Sequence, residues 1–413
     1  MISNNFKRTK YACYFCYLAM SSVFVVPPML FTTFHESYGI SYTLLGTLVV
    51  FNFCTQLLID LAFSFFTKYF NVKLSVRVMP LLTSTGMFIY ALVPYFFPQY
   101  AYLGLVMGTI IFSVAAGLGE VLISPVVAAI PSDTPEKDMS LLHSLYGWGV
   151  VSMVIISSIF FAVFGTEKWK LLILGLAILP LISSLLFFLS PIPGMDTSSE
   201  SSSNKGRGKI LALCVMCIFL GSAAENTMTN WISSYMEKAL GLSKTIGDIL
   251  GLAIFAFLLA LSRVLYAKFT PDITKTLLVS MACSSACYLM AGLWGGVIVS
   301  FIACILLGFF TAMLWPGTLI LMEERIKAPG VAAFALMAAG GDLGASITPQ
   351  MVGIVVDKVS AAQFTQKLCE AGQYTPEEVG MRVGMLCASI FPILGTLLLI
   401  YIYRKYKNSK STV

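Results

Sequence analysis

Apolar runs of about 20 residues recur along the whole chain, separated by short polar breaks. A run of this length crosses the hydrocarbon core of a bilayer, about 30 Å thick, as an α-helix that rises about 1.5 Å per residue. The breaks predict six spans in each half of the chain. The expected spans are residues 11–34, 43–67, 77–97, 100–129, 139–165 and 169–190, followed by 210–237, 245–268, 274–294, 297–322, 329–356 and 381–403.

The middle of the chain is rich in serine, glycine and proline, a composition that predicts a flexible linker. We therefore expect an N-terminal six-helix bundle over residues 1–190, a cytoplasmic linker over 191–209 and a C-terminal six-helix bundle over 210–413. The halves echo each other weakly, since Gly39-Ile-Ser after the first span matches Gly241-Leu-Ser after the seventh. The predicted fold class is an all-α membrane protein with twelve transmembrane helices in two pseudo-symmetric six-helix bundles.

Composition supports a membrane protein and excludes several other classes. Hydrophobic residues make up 58% of the chain and charged residues 11%, with a mean hydropathy of +0.86. Nine of the ten cysteines fall inside apolar runs, so Cys13-x-x-Cys16 and Cys214-x-x-Cys217 are expected to be packed thiols without a metal. No nucleotide-binding loop and no nucleophile–base arrangement is recognisable, so we expect no cofactor and no enzymatic activity.

The distribution of basic residues predicts the orientation in the membrane. With both termini in the cytoplasm, 18 of the 26 lysines and arginines fall on the cytoplasmic side and 7 on the other. The net charge of +6 then reflects topology, with no sign of a nucleic-acid partner. The first span begins near Tyr11 without a cleavage site, so it is expected to be retained in a multi-pass protein of the cell membrane.

The fourth span carries a carboxylate among apolar residues. Ser113, Gly117, Glu120 and Ser124 form one stripe at helical spacing, and Glu120 lies about 15 Å from the helix end. Ionisable residues at such depth commonly face a cavity and take part in transport, which makes Glu120 a candidate for proton coupling. The alternative is a structural ion pair. No basic residue is obviously placed for one, because Arg263 is expected near the inner end of the eighth span.

The seventh span offers a second polar face, made by Ser222, Glu225, Asn226, Thr229, Asn230 and Ser233. Glu225 is a second candidate for proton coupling. Asn226 and Asn230, four residues apart, are candidates for binding one polar ligand. The alternative for the amides and hydroxyls is hydrogen bonding between packed helices.

Further candidates lie in four other spans. Asp60 in the second span and Asp342 in the eleventh are candidate gate or proton-coupling groups, with structural roles as the alternative. The remaining candidates for substrate binding are Gln56, His143, Tyr146, Trp148 and Trp315. For Trp148 and Trp315, lining a central cavity competes with facing lipid or packing between helices.

These features resemble the major facilitator superfamily over essentially the whole chain. Gly117-Leu-Gly119-Glu120, with Ser124-Pro125 and the later His143-x-x-Tyr146, is similar to the fucose permease group. The resemblance implies proton-coupled sugar symport in which Glu120 is a functional carboxylate. The sequence departs from this family in two places. The fucose permeases have an aspartate in the first span, whereas residues 21–28 here hold no acid, and the superfamily's Asp-Arg loop motif is degraded at residues 63–68.

The sequence thus predicts a secondary active transporter that moves a small polar solute, foremost a sugar or polyol, by alternating access with proton symport. A proton-coupled antiporter exporting amphipathic drugs is the alternative, since 20 methionines and 30 phenylalanines could line an adaptable site. An organic-anion carrier is disfavoured because no arginine is expected at the midplane. The expected partners are the solute, protons (with Na+ as the alternative ion) and the lipid bilayer. The protein is expected to be a monomer.

Overall fold

A computed structural model describes residues 6–66, 71–132, 135–194, 207–293, 296–326, 330–370 and 374–406, and these residues are mostly helical with no strand among them. Eleven helical segments are long and apolar enough to cross a membrane. The twelfth, α15 (Gly330–Ser360), has 31 residues and covers the eleventh predicted span. The expected all-α membrane fold is confirmed.

By its contacts the described chain divides into two compact units, and residues 41–50 group with the second of them. The first unit contains the later part of α3 and the helices up to residue 188. Its elements are α1 (Lys7–Met29), α2 (Phe31–Tyr38), α3 (Tyr42–Phe66), α4 (Val72–Phe96), α5 (Ala101–Ala128), α6 (Pro135–Phe164), α7 (Trp169–Leu176) and α8 (Ile178–Phe188).

The second unit contains the remaining helices together with the first turns of α3. Its elements are α9 (Arg207–Lys238), α10 (Lys244–Ile246), a π-helical stretch (Gly247–Ala253), α11 (Ile254–Phe269), α12 (Ile273–Leu293), α13 (Val297–Thr311), α14 (Pro316–Arg325), α15, α16 (Gln363–Glu370), α17 (Pro376–Ala388) and α18 (Ile390–Tyr406). Residues 195–206 of the predicted linker lie outside the described residues.

The first turn of α3 is tied to α15 within the second unit. The Asp357 carboxylate accepts the backbone N–H groups of Tyr42 and Thr43, at 3.0 and 2.6 Å. Ser41 satisfies the next two N–H groups, through its hydroxyl to Leu44 and its carbonyl to Leu45. The N–H groups of the first three helical residues, which have no acceptor within the helix, are therefore all paired, and the Leu45–Ser41 bond is the first regular helical one. These bonds explain why residues 41–50 group with the second unit, although the prediction placed them in the first bundle.

Prolines account for three of the helix breaks. Proline has no N–H, so it leaves the carbonyl four residues earlier without its helical partner. Pro180 frees the carbonyl of Leu176, where α7 ends, and Pro392 frees that of Ala388, where α17 ends. Pro316 likewise frees the carbonyl of Ala312, in the turn that separates α13 from α14. The tenth predicted span is consequently a discontinuous helix.

Glycines at two corresponding turns adopt the left-handed conformation. Gly39 has φ +64° and Gly241 has φ +65°, which ends the preceding helix in each half of the chain. Their sequence similarity therefore corresponds to one shared turn geometry. Elsewhere glycines allow close helix packing: a Cβ on Gly86 of α4 would lie 2.6 Å from the backbone nitrogen of Phe112 on α5.

Candidate functional site

Polar side chains connect α3 and α5 inside the first unit. The Ser113 hydroxyl donates to the Asn52 side-chain oxygen at 2.6 Å, and the Gln56 amide donates to the same oxygen at 2.9 Å. Gly117 brings the helices together, since a Cβ there would lie 3.2 Å from the Cα of Gln56. Gln56 is 2% exposed and faces this helix contact. Its buried amide donates to the side-chain oxygen of Asn52. Binding of a ligand by Gln56 stays a prediction.

Two carboxylates follow this contact, one on each helix. Glu120 comes three residues after Gly117, and Asp60 comes four residues after Gln56, so both lie about one turn further along the α3–α5 contact. The two carboxylates interact electrostatically. Asp60 is 7% exposed, whereas the Glu120 side chain is exposed. Among the described residues, neither carboxylate forms an ion pair with a base, and the buried Oδ1 of Asp60 has no hydrogen-bond partner.

Aromatic side chains lie beside Glu120. The Tyr17 hydroxyl shares a hydrogen bond with the Ser124 hydroxyl at 3.2 Å, and Tyr17 is within electrostatic range of Glu120. The Tyr146 ring packs edge-on against Tyr17 and Phe24, with centroids 6.5 and 6.0 Å away. Tyr146 thus joins the predicted cluster. Tyr17 was not predicted, although a hydroxyl-bearing ring in the first apolar span was the available signal.

Trp148, another predicted residue on α6, lies on an exposed face of that helix. Trp148 is 63% exposed and shares a helix stripe with Ile155 and Ile159, which are also exposed. An exposed stripe of apolar side chains fits contact with lipid, which was the alternative role for Trp148. His143 lies in α6, but its side chain is outside the described part of the chain.

A separate charged pair lies in the second unit. The Arg263 Nη2 atom is 3.5 Å from the Glu225 Oε1 atom, and Glu225 Oε2 is buried without a hydrogen-bond partner. The expectation that no arginine is present at the midplane is therefore wrong, because the guanidinium of Arg263 reaches Glu225. Arg263 lies near the end of α11, but its long side chain reaches a residue in the middle of α9. Glu225 has the counter-ion that Glu120 lacks among the described residues.

Arg263 is held where the tenth span is broken. Its Nε–H group donates to the carbonyl of Ala312 at 3.0 Å, which is the carbonyl that Pro316 leaves without a helical donor. Next to this break, the Trp315 ring lies directly against Gly341 of α15, in space that a Cβ would occupy. Asp342 follows Gly341 and is 4% exposed. The structure thus places Trp315 next to the residue preceding Asp342.

The two predicted asparagines bond within α9. The side-chain amide of Asn226 donates to Ser222, to its carbonyl at 3.2 Å and its hydroxyl at 3.1 Å, and that of Asn230 donates to the Asn226 carbonyl at 2.8 Å. Within the described part of the chain, these amide groups do not donate a hydrogen bond to a neighbouring helix. Their side-chain oxygens remain as hydrogen-bond acceptors, so the predicted ligand-binding role stays a prediction.

One buried carboxylate was overlooked. Asp248 is 1% exposed in the π-helical stretch, where it accepts a hydrogen bond from Ser233 and lies 3.8 Å from the Lys244 ammonium. Lys244 also lies 3.8 Å from Glu237. The signal was an acid inside the predicted span 245–268. Because a lysine and a hydroxyl already engage it, we assign Asp248 to holding α9 against the π-helical stretch.

No group of three or more metal-ligating side chains occurs among the described residues. The sequence matches the family model described as Major Facilitator Superfamily over residues 11–349. No curated protein matches it.

Several solved transporter structures are similar to this chain. A bacterial homolog of the human lysosomal transporter Spinster has a TM-score of 0.73 at 12% identity, over 96% of this chain and 97% of that one. A D-xylose–proton symporter has a TM-score of 0.73 at 15% identity, over 96% and 97%. The E. coli fucose:proton symporter has a TM-score of 0.57 at 13% identity, over 95% and 99%. These likenesses concern the fold, and together with the family match they establish that the chain is a membrane transporter belonging to the Major Facilitator Superfamily.

Proposed function

We propose that the protein is a proton symporter for a small polyhydroxyl solute, working by alternating access in the cell membrane with both termini in the cytoplasm. The observation that carries the proposal is the Glu120–Asp60 pair. Both carboxylates lie in helices that cross the membrane, they interact electrostatically, and neither has a basic partner among the described residues. Isolated acids in transmembrane segments are expensive to keep and commonly belong to ion or proton pathways.

The geometry favours a proton as the coupling ion. A carboxylate pair without a basic partner can bind a proton in place of a counter-ion, because two like charges that interact disfavour the doubly ionised state. Glu120 is exposed and so open to exchange, whereas Asp60 is buried. This arrangement supports Glu120 as the group that takes up and releases the proton, with Asp60 as its neighbour in the pair.

The surroundings of Glu120 support a polyhydroxyl solute. Tyr17, Tyr146 and Phe24 offer ring faces and edges, and Ser124 and the tyrosine hydroxyls offer donors and acceptors. Small-molecule sites commonly combine apolar walls with a few polar groups that fix orientation. Two of the similar structures are proton symporters of D-xylose and fucose, which is consistent with this class of solute.

The test is uptake of D-xylose and L-fucose into proteoliposomes that contain the purified protein, with an inward proton gradient. We expect Glu120→Gln to abolish accumulation against a solute gradient while sparing solute counterflow, which needs no net proton movement. Asp60→Asn should weaken accumulation less. Glu167→Gln, which neutralises an exposed acid in the 3-10 turn before α7, is the matched control.

Undiminished uphill uptake by Glu120→Gln would remove the coupling role of this residue. Uptake driven by a sodium gradient alone would replace the proton by Na+. If neither sugar moved, but an inwardly directed proton gradient drove extrusion of ethidium from the lumen, the drug-antiport alternative would take the place of sugar symport.

A further inference from the structure

Arg263 uses only part of its hydrogen-bonding capacity. A guanidinium group has five N–H donors in a planar fork, and an arginine–carboxylate pair commonly forms two parallel bonds of about 2.7–2.9 Å. Here one N–H binds the Ala312 carbonyl, and a single contact of 3.5 Å joins the fork to Glu225. The Arg263 side chain is 41% exposed. The outer edge of the guanidinium therefore remains open to a further acceptor.

The position of this fork is fixed by the backbone. The Ala312 carbonyl is free because Pro316 cannot bond to it, and Arg263 is the donor that replaces the missing N–H. This bond holds the guanidinium at the discontinuity of a transmembrane helix. Transporters of parallel six-helix repeats commonly form solute sites where helices near the midplane are broken. Trp315 lies in the same discontinuity and supplies an aromatic surface.

The contact between the Glu225 carboxylate and the Arg263 guanidinium is long. The Oε1 atom of Glu225 lies beyond normal hydrogen-bond distance from Arg263, and its Oε2 atom has no partner although it is buried. A carboxylate that approached the fork from its exposed edge could form the two short bonds that Glu225 does not form. The pair is therefore a weak internal contact that a better-aligned carboxylate can replace.

We infer that Arg263 binds the carboxylate of the transported solute, which displaces Glu225 from the guanidinium. This inference rests on the proposed function and narrows its solute from polyhydroxyl compounds in general to polyhydroxyl acids of the hexuronate and aldonate class. Two carboxylates at one guanidinium leave one negative charge in excess, and a proton bound with the solute neutralises it. Carboxylate binding at Arg263 is thus compatible with proton symport.

The test is ligand-induced thermal stabilisation of the purified full-length protein by three matched pairs of probes. These are D-glucuronate with D-glucose, D-galacturonate with D-galactose, and D-gluconate with sorbitol, and sodium acetate at equal ionic strength is the salt control. Because hydrogen bonds to charged groups are worth more than neutral ones, we expect at least one acid to bind about tenfold or more tightly than its neutral partner.

Variants distinguish the roles of the two side chains. Glu225→Gln keeps Arg263 and removes its internal competitor, so acid binding should strengthen severalfold. Arg263→Lys keeps the charge but loses the planar fork, so the preference for the acid should fall about tenfold. Lys268→Gln, which removes an exposed charge near the end of the same helix, should leave the preference unchanged.

Equal binding of acid and neutral partner in every pair, or no stabilisation by any acid, would overturn the inference. Weaker acid binding by a folded Glu225→Gln variant would also overturn it, because Glu225 would then assist binding. If no acid is preferred but uphill uptake of D-xylose or L-fucose depends on Glu120, the carboxylate site is refuted and the proposed symport stands. If acid binding depends on Arg263 but solute accumulation does not depend on Glu120, the coupling role of Glu120 is refuted and the carboxylate site stands.

Discussion

Removal of the Asp357 carboxylate should release the first turn of α3 from α15. In the structure Asp357 pairs the N–H groups of Tyr42 and Thr43, two of the three at the start of this helix that have no acceptor within it. Asp357→Ala leaves both groups without a protein acceptor, and it removes the negative charge that favours a helix N-terminus. The packing of Gly46 against Gln350 stays in place, so the loss should be confined to the start of the helix.

The magnitude follows from the two bonds and from their exposure. Hydrogen bonds to a charged group contribute roughly 1.5–3 kcal/mol each when buried, and the loss of a helix cap costs about 0.5–2 kcal/mol. Tyr42 is buried but Thr43 is half-buried, so water can replace part of the loss at Thr43. Because water can reach this helix start at Thr43, we take the helix-cap range as the guide and expect about 1–2 kcal/mol, which corresponds to about 5–30-fold faster opening of this turn. Asp357→Asn keeps one acceptor and should lose about half as much.

The assay is amide hydrogen exchange of the purified protein, followed for peptides that cover residues 41–50. Asp357→Ala should accelerate exchange there and leave α12 unaffected. Ser41→Ala is the matched control, because it removes the hydroxyl that accepts from Leu44 but keeps the connection to α15. Exchange at residues 41–50 that matches wild type in Asp357→Ala, or exceeds it only in Ser41→Ala, would refute this account of how α3 begins.

Two further predictions concern stability. The Lys10 ammonium donates a hydrogen bond to Asp138 and lowers the pKa of that carboxyl. The pair should therefore stabilise the fold fully above the pKa of the unfolded state, about 3.9. This contribution should be lost as the pH falls through the lower pKa of the folded state. Tm measured at pH 6 and pH 3 should therefore fall more for wild type than for Asp138→Asn, and an equal fall would contradict the role of the pair. Gly341→Leu should displace the Trp315 ring and destabilise the protein by about 1–3 kcal/mol with a shift in tryptophan emission, whereas Gly175→Leu, where a Cβ meets nothing within 4 Å, should change neither. Unchanged emission in Gly341→Leu would show that the ring does not depend on this glycine.

The helical fold could be predicted because its signal is local. Apolar runs of sufficient length give the spans, and prolines give three of their breaks through one missing N–H each. The turns at Gly39 and Gly241 were recognisable as a repeated sequence because both need a positive φ. The grouping of residues 41–50 was not predictable in this way. It depends on Asp357, more than 300 positions later, whose bonds are made only after folding.

The candidate site was predictable in its residue types and less so in its pairings. Glu120 and Asp60 stood out as acids in apolar spans, but their proximity depends on the close approach of two helices at Gly117. The pairing of Arg263 with Glu225 was not predicted, because the backbone position of Arg263 near the end of α11 conceals the reach of its long side chain. Side-chain length and helix packing, which carry no periodic signal, decided both outcomes.

The most direct test of proton symport is the internal pH of proteoliposomes with a pH-sensitive dye inside. D-xylose, L-fucose or D-glucuronate is added outside without any imposed proton gradient. The account predicts that at least one solute acidifies the lumen as it enters, and that Glu120→Gln abolishes this signal while Glu167→Gln retains it. Alkalinisation of the lumen on solute entry, or acidification that persists in Glu120→Gln, would contradict proton symport through Glu120.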